Sequence, residues 1–293
     1  MSTGLVSCII PTYKRSDTLV RAINSVLNQS YKNLEVIVVD DNEPDDDYSK
    51  ITQEKISTIN DERLRYIQQE QHINGAAARN VGIRAAVGKY IAFLDDDDEW
   101  LTNKLEKQVR VLENNSQSGA VSCLYSLYKN EALVRKCAPY SAENLHKKVL
   151  DRSVAVFTST VLFRKTSLDN AGHFDENLLR HQDLQLLLDF LKVNTMSLIP
   201  EYLVALHIDD AGNRPNLNKF IKVKQQFFNS VANHLNMYSK RESKNIHAAH
   251  YFEIILIALR EKKIGVILRY LFKIGFNFQA YTNLIKRYKE RQN

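Results

Sequence analysis

Residues 75–100 read GAAARNVGIRAAVGKYIAFLDDDDEW, and this stretch decides the fold class. A glycine-led helical segment is followed by a short apolar strand, Tyr90 to Leu94, which runs directly into four aspartates. Strand interiors do not tolerate charge, so the aspartates are expected at the carboxyl end of the strand, where ligands bind in open α/β sheets. Four neighbouring carboxylates repel one another unless a cation lies among them. Residues 95–98 therefore predict a divalent metal site beside a phosphate-bearing ligand.

The first hundred residues alternate apolar strands with amphipathic helices. Strands are predicted at 5–10, 34–39, 64–67 and 90–94, and helices at 16–28, 48–59 and 75–86. Continuous apolar strands joined by helices are typical of a parallel sheet that is covered on both faces. The sequence therefore predicts an α/β fold with a mostly parallel sheet, in which Pro11 closes the first strand.

Two regions of opposite charge are separated by a polar segment at 209–216 that contains Gly and Pro. Residues 217–293 contain fifteen Lys/Arg and four Asp/Glu, a net charge of +11, which leaves −5 for residues 1–216 out of the total of +6. We therefore predict a catalytic domain over 1–216 and a basic, helical C-terminal region over 217–293.

Composition predicts a cytoplasmic protein. The N-terminus lacks a basic segment before its apolar run, so we expect no signal peptide, and the longest aliphatic run, Ile254 to Leu259, is far short of a membrane span. The three cysteines are odd in number and show no metal-ligand spacing, so buried, reduced thiols are expected.

Polar residues follow three of the predicted strands, at 11–13, 40–42 and 95–98, and these strand ends share one edge of a doubly wound sheet. A carboxylate or amide at 40–42 can accept an N–H from a uracil-like base. The helix that starts at Gly75 is expected to direct its free N–H groups and positive dipole end to the same edge. Arg79, one turn further, is suited to holding a diphosphate or to stacking on a base.

A second carboxylate, Asp183, falls at the start of a predicted helix at 182–192. It is a candidate general base that takes a proton from an attacking hydroxyl, and the alternative reading is a helix N-cap. The sequence lacks GxxxxGK[ST], and its first strand does not lead into GxGxxG. These two absences weigh against a P-loop NTPase and an NAD enzyme.

Four segments of the chain resemble the signature of the family 2 glycosyltransferases. They are VSCIIPTYKR (6–15), SVLNQSYKNLEVIVVDDN (25–42), the stretch 75–100 and GHFDENLLRHQD (172–183). The resemblance covers about the first 210 residues and implies a GT-A Rossmann-like domain with a nucleotide-binding half at about 1–100 and an acceptor-side half at about 101–216. It also implies transfer of a sugar from a nucleotide-sugar donor with inversion at the anomeric carbon.

The resemblance implies roles for individual residues. Nucleotide binding would fall to Pro11, Thr12, Tyr13, Arg15, Asp40, Asn42, Gly75, Arg79, Asp95 and Asp96. Asp97 would bind Mn²⁺ or Mg²⁺, and Asp183 would be the catalytic base. We expect Asp98 to begin the next helix instead, and His207 to be structural rather than part of the metal or phosphate site.

The chain departs from the family pattern at two points. Members usually place Glu immediately before the base, whereas this chain has Gln182, which puts the pKa of the base or an acceptor contact in question. The processive synthases that resemble this family carry QxxRW and membrane helices, whereas the only tryptophan here is Trp100. We therefore predict transfer of a single hexosyl unit rather than polymerisation.

The predicted donor is a UDP-sugar, and the predicted acceptor is a glycan or lipid-linked saccharide of surface-polysaccharide biosynthesis. For the basic region 217–293 two readings stay open. Basic amphipathic helices lie on anionic membranes, which would place the enzyme on the inner face of the membrane. The alternative is packing against the catalytic domain or a second subunit, as in a homodimer. No motif supports nucleic-acid binding.

Two rival functions remain at this point. A nucleotidyltransferase that makes nucleotide sugars would share the sheet and the acidic site, but it needs a Gly-rich loop after the first strand, and PTYKRSD has no glycine. A catalytically inactive relative that binds a glycan or an assembly complex is supported only by Gln182.

Overall fold

The computed structural model describes residues 4–208, 216–275 and 281–282. The chain forms two compact units. The first contains residues 4–142, 156–176 and 189–208, and the second contains 143–155, 177–188 and the described residues from 216 onward.

The nine strands found among the described residues belong to one sheet of the first unit. They are β1 (Val6–Thr12), β2 (Leu34–Asp40), β3 (Leu64–Gln68), β4 (Tyr90–Phe93), β5 (Glu99–Trp100), β6 (Ser118–Lys129), β7 (Ala132–Lys136), β8 (Val161–Arg164) and β9 (Thr195–His207). The helices of this unit are α1 (Ser16–Leu27), α2 (Asp47–Ser57), α3 (Gly75–Ala85), α4 (Lys104–Asn114) and α6 (Lys165–Ala171).

The order β3-β2-β1-β4 forms the parallel half of the sheet. Every residue of β1, β2 and β4 is buried, as expected for strands covered on both faces. Helix α3 packs directly on β1, because a Cβ at Gly82 would lie 2.3 Å from Ile9 Cγ2. This close packing fixes the start of α3 near the carboxyl ends of the strands.

The first strand does not end at Pro11, as the sequence predicts, but continues to Thr12. Pro11 pairs in register with Val39 of β2, whereas the pairing with β4 stops at Ile9 and Phe93. The missing N–H of the proline therefore costs no hydrogen bond to β4.

The remaining strands form the second half of the sheet, which continues from β4. β8 pairs antiparallel with β4 and β6, and β9 runs parallel to β6. β5 pairs antiparallel with the end of β9, where Glu99 lies opposite Ala205. The residues that follow β4 are thereby held against β9.

The second unit is helical in its described part. Its helices are α5 (Leu145–Leu150), the first part of α7 (Gln182–Val193), α8 (Leu217–Ser230), α9 (Ala232–Leu235), α10 (Lys240–Arg260) and α11 (Ile264–Ile274). Ser239 and Glu242 form a capping box at the start of α10.

Segments 143–155 and 177–188 precede the boundary predicted at residue 216, yet they contact the C-terminal helices. His250 Nε2 donates to the carbonyl of Leu150 (2.9 Å), and Gln226 Nε2 donates to that of Asn177 (2.6 Å). The boundary itself stays a prediction.

Candidate active site

The acidic run lies where the sequence predicts it, directly after β4. Asp95, Asp97 and Asp98 each offer a carboxylate oxygen, and these oxygens lie within 4.8 Å of one another. Asp96 and Asp98 are buried, whereas Asp95 and Asp97 are half-buried. Hard divalent cations prefer carboxylate ligands in this arrangement.

Asp96 faces the end of β1, where Thr12 Oγ1 donates a hydrogen bond to its carboxylate (2.8 Å). Burial and the negative charge of Asp97 raise the pKa of Asp96 from 3.8 to about 7. The side chain therefore carries a proton in part of the population at neutral pH, and a cation beside it would lower its pKa again.

Asp98 corrects a prediction, because it does not begin a helix. It precedes β5, and α4 starts only at Lys104. The carboxylate accepts hydrogen bonds from Ser159 Oγ (2.9 Å) and from the backbone N–H of His207 (3.2 Å). Burial and the charges of Asp95 and Asp97 raise its pKa well above 3.8. Asp98 therefore belongs to the acidic cluster.

Ser159 is held in place by Trp100, whose indole N–H donates to the Ser159 carbonyl (2.8 Å). The Ser159 hydroxyl in turn accepts from the backbone N–H of Asp95 (3.3 Å) while it donates to Asp98. One serine from outside the acidic run thus connects its first and last members.

Two arginines neutralise part of the cluster. Arg15 is ion-paired with Asp97 and lies 3.5 Å from Asp96, and Arg79 is ion-paired with Asp95. When all six side chains are ionised, four carboxylates and two guanidiniums leave a net charge of −2. A divalent cation matches that charge.

The end of β2 presents a second polar site. Asp40 is fully buried and accepts hydrogen bonds from the Asn42 N–H (2.9 Å), from Asn42 Nδ2 (2.7 Å) and from the Tyr66 hydroxyl (2.8 Å). Burial raises its pKa. Three donors leave capacity for one more at a carboxylate.

An aromatic surface lies beside Asp40 and the neighbouring carboxylate, Asp41. The Tyr13 ring, 38% exposed, stacks on the His72 ring with centroids 4.0 Å apart. His72 Nδ1 lies 3.0 Å from Asp41 Oδ2. Lys14 Nζ lies over the Tyr13 ring, 4.9 Å from its centroid, so Tyr13 is part of a cationic and aromatic surface at the strand edge where a base is expected.

The start of α3 differs from the expectation of free N–H groups. Asn74 Oδ1 accepts from the N–H groups of Ala76 (2.9 Å) and Ala77 (3.1 Å), because Asn is a preferred N-cap. Arg79 Nη1 donates to the Gly75 carbonyl (3.0 Å), which directs the guanidinium back over the helix start toward Asp95. The contact between α3 and the acidic cluster is therefore made by the guanidinium of Arg79.

Asp183 lies in the second unit, half-buried in the first turn of α7. Gln182, the residue that departs from the family pattern, donates through Nε2 to the Leu178 carbonyl (2.7 Å). His181 adopts a positive φ of 65° just before the helix. Gln182 therefore stabilises the start of α7 through a hydrogen bond within the second unit.

A family model described as glycosyl transferase family 2 matches residues 7–170. The chain belongs to this family. The family 2 glycosyltransferase is 30% identical over 230 residues to UDP-Glc:alpha-D-GlcNAc-diphosphoundecaprenol beta-1,3-glucosyltransferase WfgD of Escherichia coli, covering 78% of this chain and 85% of WfgD.

Two solved structures share the fold. S. aureus TarS 1-349 in complex with UDP-GlcNAc matches with a TM-score of 0.61 and 18% identity, over 96% of this chain and 78% of that one. The mannosyltransferase PcManGT from Pyrobaculum calidifontis, in complex with GDP-Man and Mn2+, matches with a TM-score of 0.62 and 17% identity, over 98% and 87%. The predicted GT-A fold is confirmed.

Within the first unit of this glycosyltransferase, the structure brings together Thr12, Arg15, Arg79 and the aspartates 95–98. The sequence did not single out Ser159, which is 61 residues from Asp98, nor the backbone N–H of His207, 109 residues away. No local pattern marks a residue whose role is to bond a distant carboxylate, so sequence spacing carries no signal for either.

Proposed function

We propose that this family 2 glycosyltransferase transfers a single hexosyl unit, with inversion, from a UDP-sugar to a glycan or lipid-linked acceptor in surface-polysaccharide biosynthesis. The name of WfgD supports both the UDP-sugar donor and the diphosphoundecaprenol-linked acceptor. The complexes of TarS with UDP-GlcNAc and of PcManGT with GDP-Man support a nucleotide-sugar donor.

The acidic cluster after β4 carries the proposal. The raised pKa values of Asp96 and Asp98 show that their charged forms are disfavoured in the metal-free cluster, and a divalent cation would stabilise the fully ionised cluster, whose net charge with Arg15 and Arg79 is −2. Asp97 would hold Mn²⁺ or Mg²⁺, together with Asp95 and Asp98. When bound, the metal supplies charge neutralisation for the departing nucleoside diphosphate.

Arg15 and Arg79 would move from carboxylates to the donor diphosphate. Both guanidiniums are ion-paired with members of the cluster, Arg15 with Asp97 and Arg79 with Asp95. As a cation engages those carboxylates, the arginines become available for bidentate bonds to phosphate oxygens. Asp96, held by Thr12, lies beside them and would contact the ribose or the diphosphate.

The nucleoside would bind along residues 11–13 and 40–42. Tyr13, whose ring contacts His72 and Lys14, would lie against the base, and Asp40 has remaining acceptor capacity for a base N–H. Asn42 shapes this site, since its side chain donates to Asp40 and accepts from the Lys14 N–H (3.0 Å). Pro11 and Gly75 would line the same edge.

Asp183 would remove the proton from the acceptor hydroxyl. The deprotonated oxygen attacks the anomeric carbon from the face opposite the diphosphate, and one displacement inverts that centre.

Among residues 4–208, 216–275 and 281–282, no helix has the length and apolar character of a membrane span. We propose a cytoplasmic enzyme that works at the inner face of the membrane, with residues 217–293 as its second region. A homodimer and the absence of nucleic-acid binding stay predictions.

The decisive experiment screens nucleotide sugars for metal-dependent hydrolysis. The wild type is expected to hydrolyse one UDP-sugar only with Mn²⁺ or Mg²⁺ and to bind UDP by calorimetry under the same condition. Asp97→Asn should lose both, while Glu54→Gln on exposed α2 should retain both. Metal-independent binding would contradict the metal assignment, and release of pyrophosphate from UTP and a sugar phosphate would establish the nucleotidyltransferase instead.

A further inference from the structure

Helix α11 (Ile264–Ile274) carries apolar side chains on two faces. The inner face packs into a core cluster of the second unit, where Tyr270 and Ile274 are buried with Ile254 and Ala258 of α10. This packing fixes α11 on α10 and leaves the opposite side of the helix directed away from that cluster.

The other apolar side chains of α11 are exposed. Phe272 is 89% exposed, Ile264 69% and Leu268 62%. With Leu271 they recur at spacings of three and four residues, so they occupy one arc of the helix surface. We call Ile264, Leu268, Leu271 and Phe272 the outer face.

Positive charge borders the outer face. Lys262 and Lys263 precede α11, and Arg269 and Lys273 lie within it, whereas the sequence of the helix contains no acidic residue. The ammonium of Lys273 lies over the rings of Tyr251 and Tyr270, at 5.4 and 5.0 Å from their centroids, and so is turned toward the inner face. Arg269, Lys262 and Lys263 are the cations left beside the outer face. An exposed apolar arc beside cations is the pattern of a helix that lies in a membrane interface.

We propose that the outer face of α11 binds the surface of an anionic lipid bilayer. Phe272, Leu268 and Ile264 enter the boundary between headgroups and acyl chains, and Arg269 and the neighbouring lysines contact anionic headgroups. Eleven helical residues extend about 16 Å. This helix is therefore too short to cross the roughly 30 Å hydrocarbon core and lies on the surface instead.

Charge also argues against a second copy of this chain as the occupant. A symmetric dimer through the outer face would bring two positively charged borders together. An anionic bilayer supplies the complementary charge, and its acyl region accepts exposed apolar side chains such as Phe272. This inference does not depend on the donor site, because none of its residues belongs to the acidic cluster.

Vesicle flotation of the full chain tests the proposal. The wild type is expected to float with vesicles of phosphatidylcholine and phosphatidylglycerol and to remain unbound with phosphatidylcholine alone. Phe272→Ser or Leu268→Ser should weaken binding about tenfold or more, because each removes a large apolar group from the interface. Val87→Ser is the matched control, since Val87 is 74% exposed in the first unit. It should bind as the wild type does.

A charge variant separates the electrostatic part. Arg269→Gln should weaken binding about fivefold, and Lys50→Gln on exposed α2 should leave it unchanged. Circular dichroism confirms that each variant is folded. Equal binding of Phe272→Ser and wild type, or equal flotation with neutral and anionic vesicles, would overturn the proposal. So would a dimer in sedimentation equilibrium that Phe272→Ser dissociates while vesicle binding is absent.

Discussion

Two groups of charged side chains in this chain differ in how their charges are balanced. In the first unit, the aspartates 95–98 lie side by side at the end of β4, and the pKa of Asp96 rises to about 7. In the second unit, Lys224 is ion-paired with Glu253 and donates to His250 Nδ1 (3.0 Å). Arg152 adds a second cation, 3.4 Å from Glu253, and the two cations hold the pKa of Glu253 well below its usual value.

We interpret the first group as the proposed metal-binding site and the second as a structural network. In the second unit each buried charge finds its partner within the chain, so the network serves the fold. In the first unit like charges dominate even after Arg15 and Arg79 are counted, and burial makes that arrangement costly. A protein keeps such a cluster where a ligand brings the opposite charge.

Asp97→Asn gives the largest expected effect. Loss of the carboxylate that we propose binds the metal should lower the transfer rate at least about 1000-fold, or about 4 kcal/mol in the transition state. The thermal stability of the metal-free protein should change little, since relief of repulsion among the aspartates offsets loss of the Arg15–Asp97 ion pair. Steady-state kinetics with the cognate donor and calorimetric Mn²⁺ titration measure both effects. A variant that kept wild-type turnover would place the metal elsewhere.

Glu253→Gln should act in the opposite sense. It leaves the ammonium of Lys224 buried without its carboxylate, and breaking a buried pair in this way costs about 3 kcal/mol of unfolding free energy. Metal binding should not change. Urea denaturation measures the loss, and the double variant Lys224→Met/Glu253→Gln should recover part of it. Unchanged stability of the single variant would mean that the network is not structural.

The two groups also predict opposite responses to pH. Burial lowers the pKa of His181 from 6.5 to about 2 and that of His250 well below 6.5. Below pH 6.5 these histidines bind protons in the unfolded chain but stay neutral in the folded chain. The unfolding free energy of the second unit should therefore decrease by about 1.4 kcal/mol per pH unit for each histidine as pH falls.

In the first unit the sign reverses. The pKa of Asp96 is about 7 in the folded state and 3.8 when unfolded, so the folded chain retains a proton that the unfolded chain releases. The stability of the metal-free first unit should therefore fall as pH rises from about 4 to 7. Trp100, the only tryptophan, reports on this unit by fluorescence, and far-ultraviolet circular dichroism follows the helices of both units. Parallel pH profiles from the two probes would contradict the comparison.

The fold of the first unit and the position of the acidic cluster were accessible from sequence, because both rest on local patterns. Apolar runs such as Leu34–Asp40 define strands, and charge after an apolar run marks the strand end. The assignments fail where a partner is distant. Asp98 was expected to begin a helix, but its carboxylate accepts hydrogen bonds from the Ser159 hydroxyl and the His207 N–H instead.

The second unit was less accessible for the same reason. Helical periodicity predicts its helices but not the grouping of 143–155 and 177–188 with them. That grouping depends on contacts such as His250 to the Leu150 carbonyl, which join residues 100 apart in sequence. The roles of Asp183 and of the nucleotide-binding residues remain predictions from the resemblance.

The smallest expected effect compares two buried lysines. Lys104 Nζ lies 3.8 Å from the centroid of the Trp100 ring and has no hydrogen-bond partner among the described residues, and burial lowers its pKa to about 8. Lys104→Met should change the unfolding free energy by less than about 1 kcal/mol, because the lost cation–π contact and the relieved burial of charge oppose each other. Lys224→Met should cost more, since it leaves the carboxylate of Glu253 buried without its lysine. Urea denaturation of both variants at pH 7 decides the matter: a larger loss for Lys104→Met would show that an unpaired cation under Trp100 stabilises the first unit more than an ion pair stabilises the second.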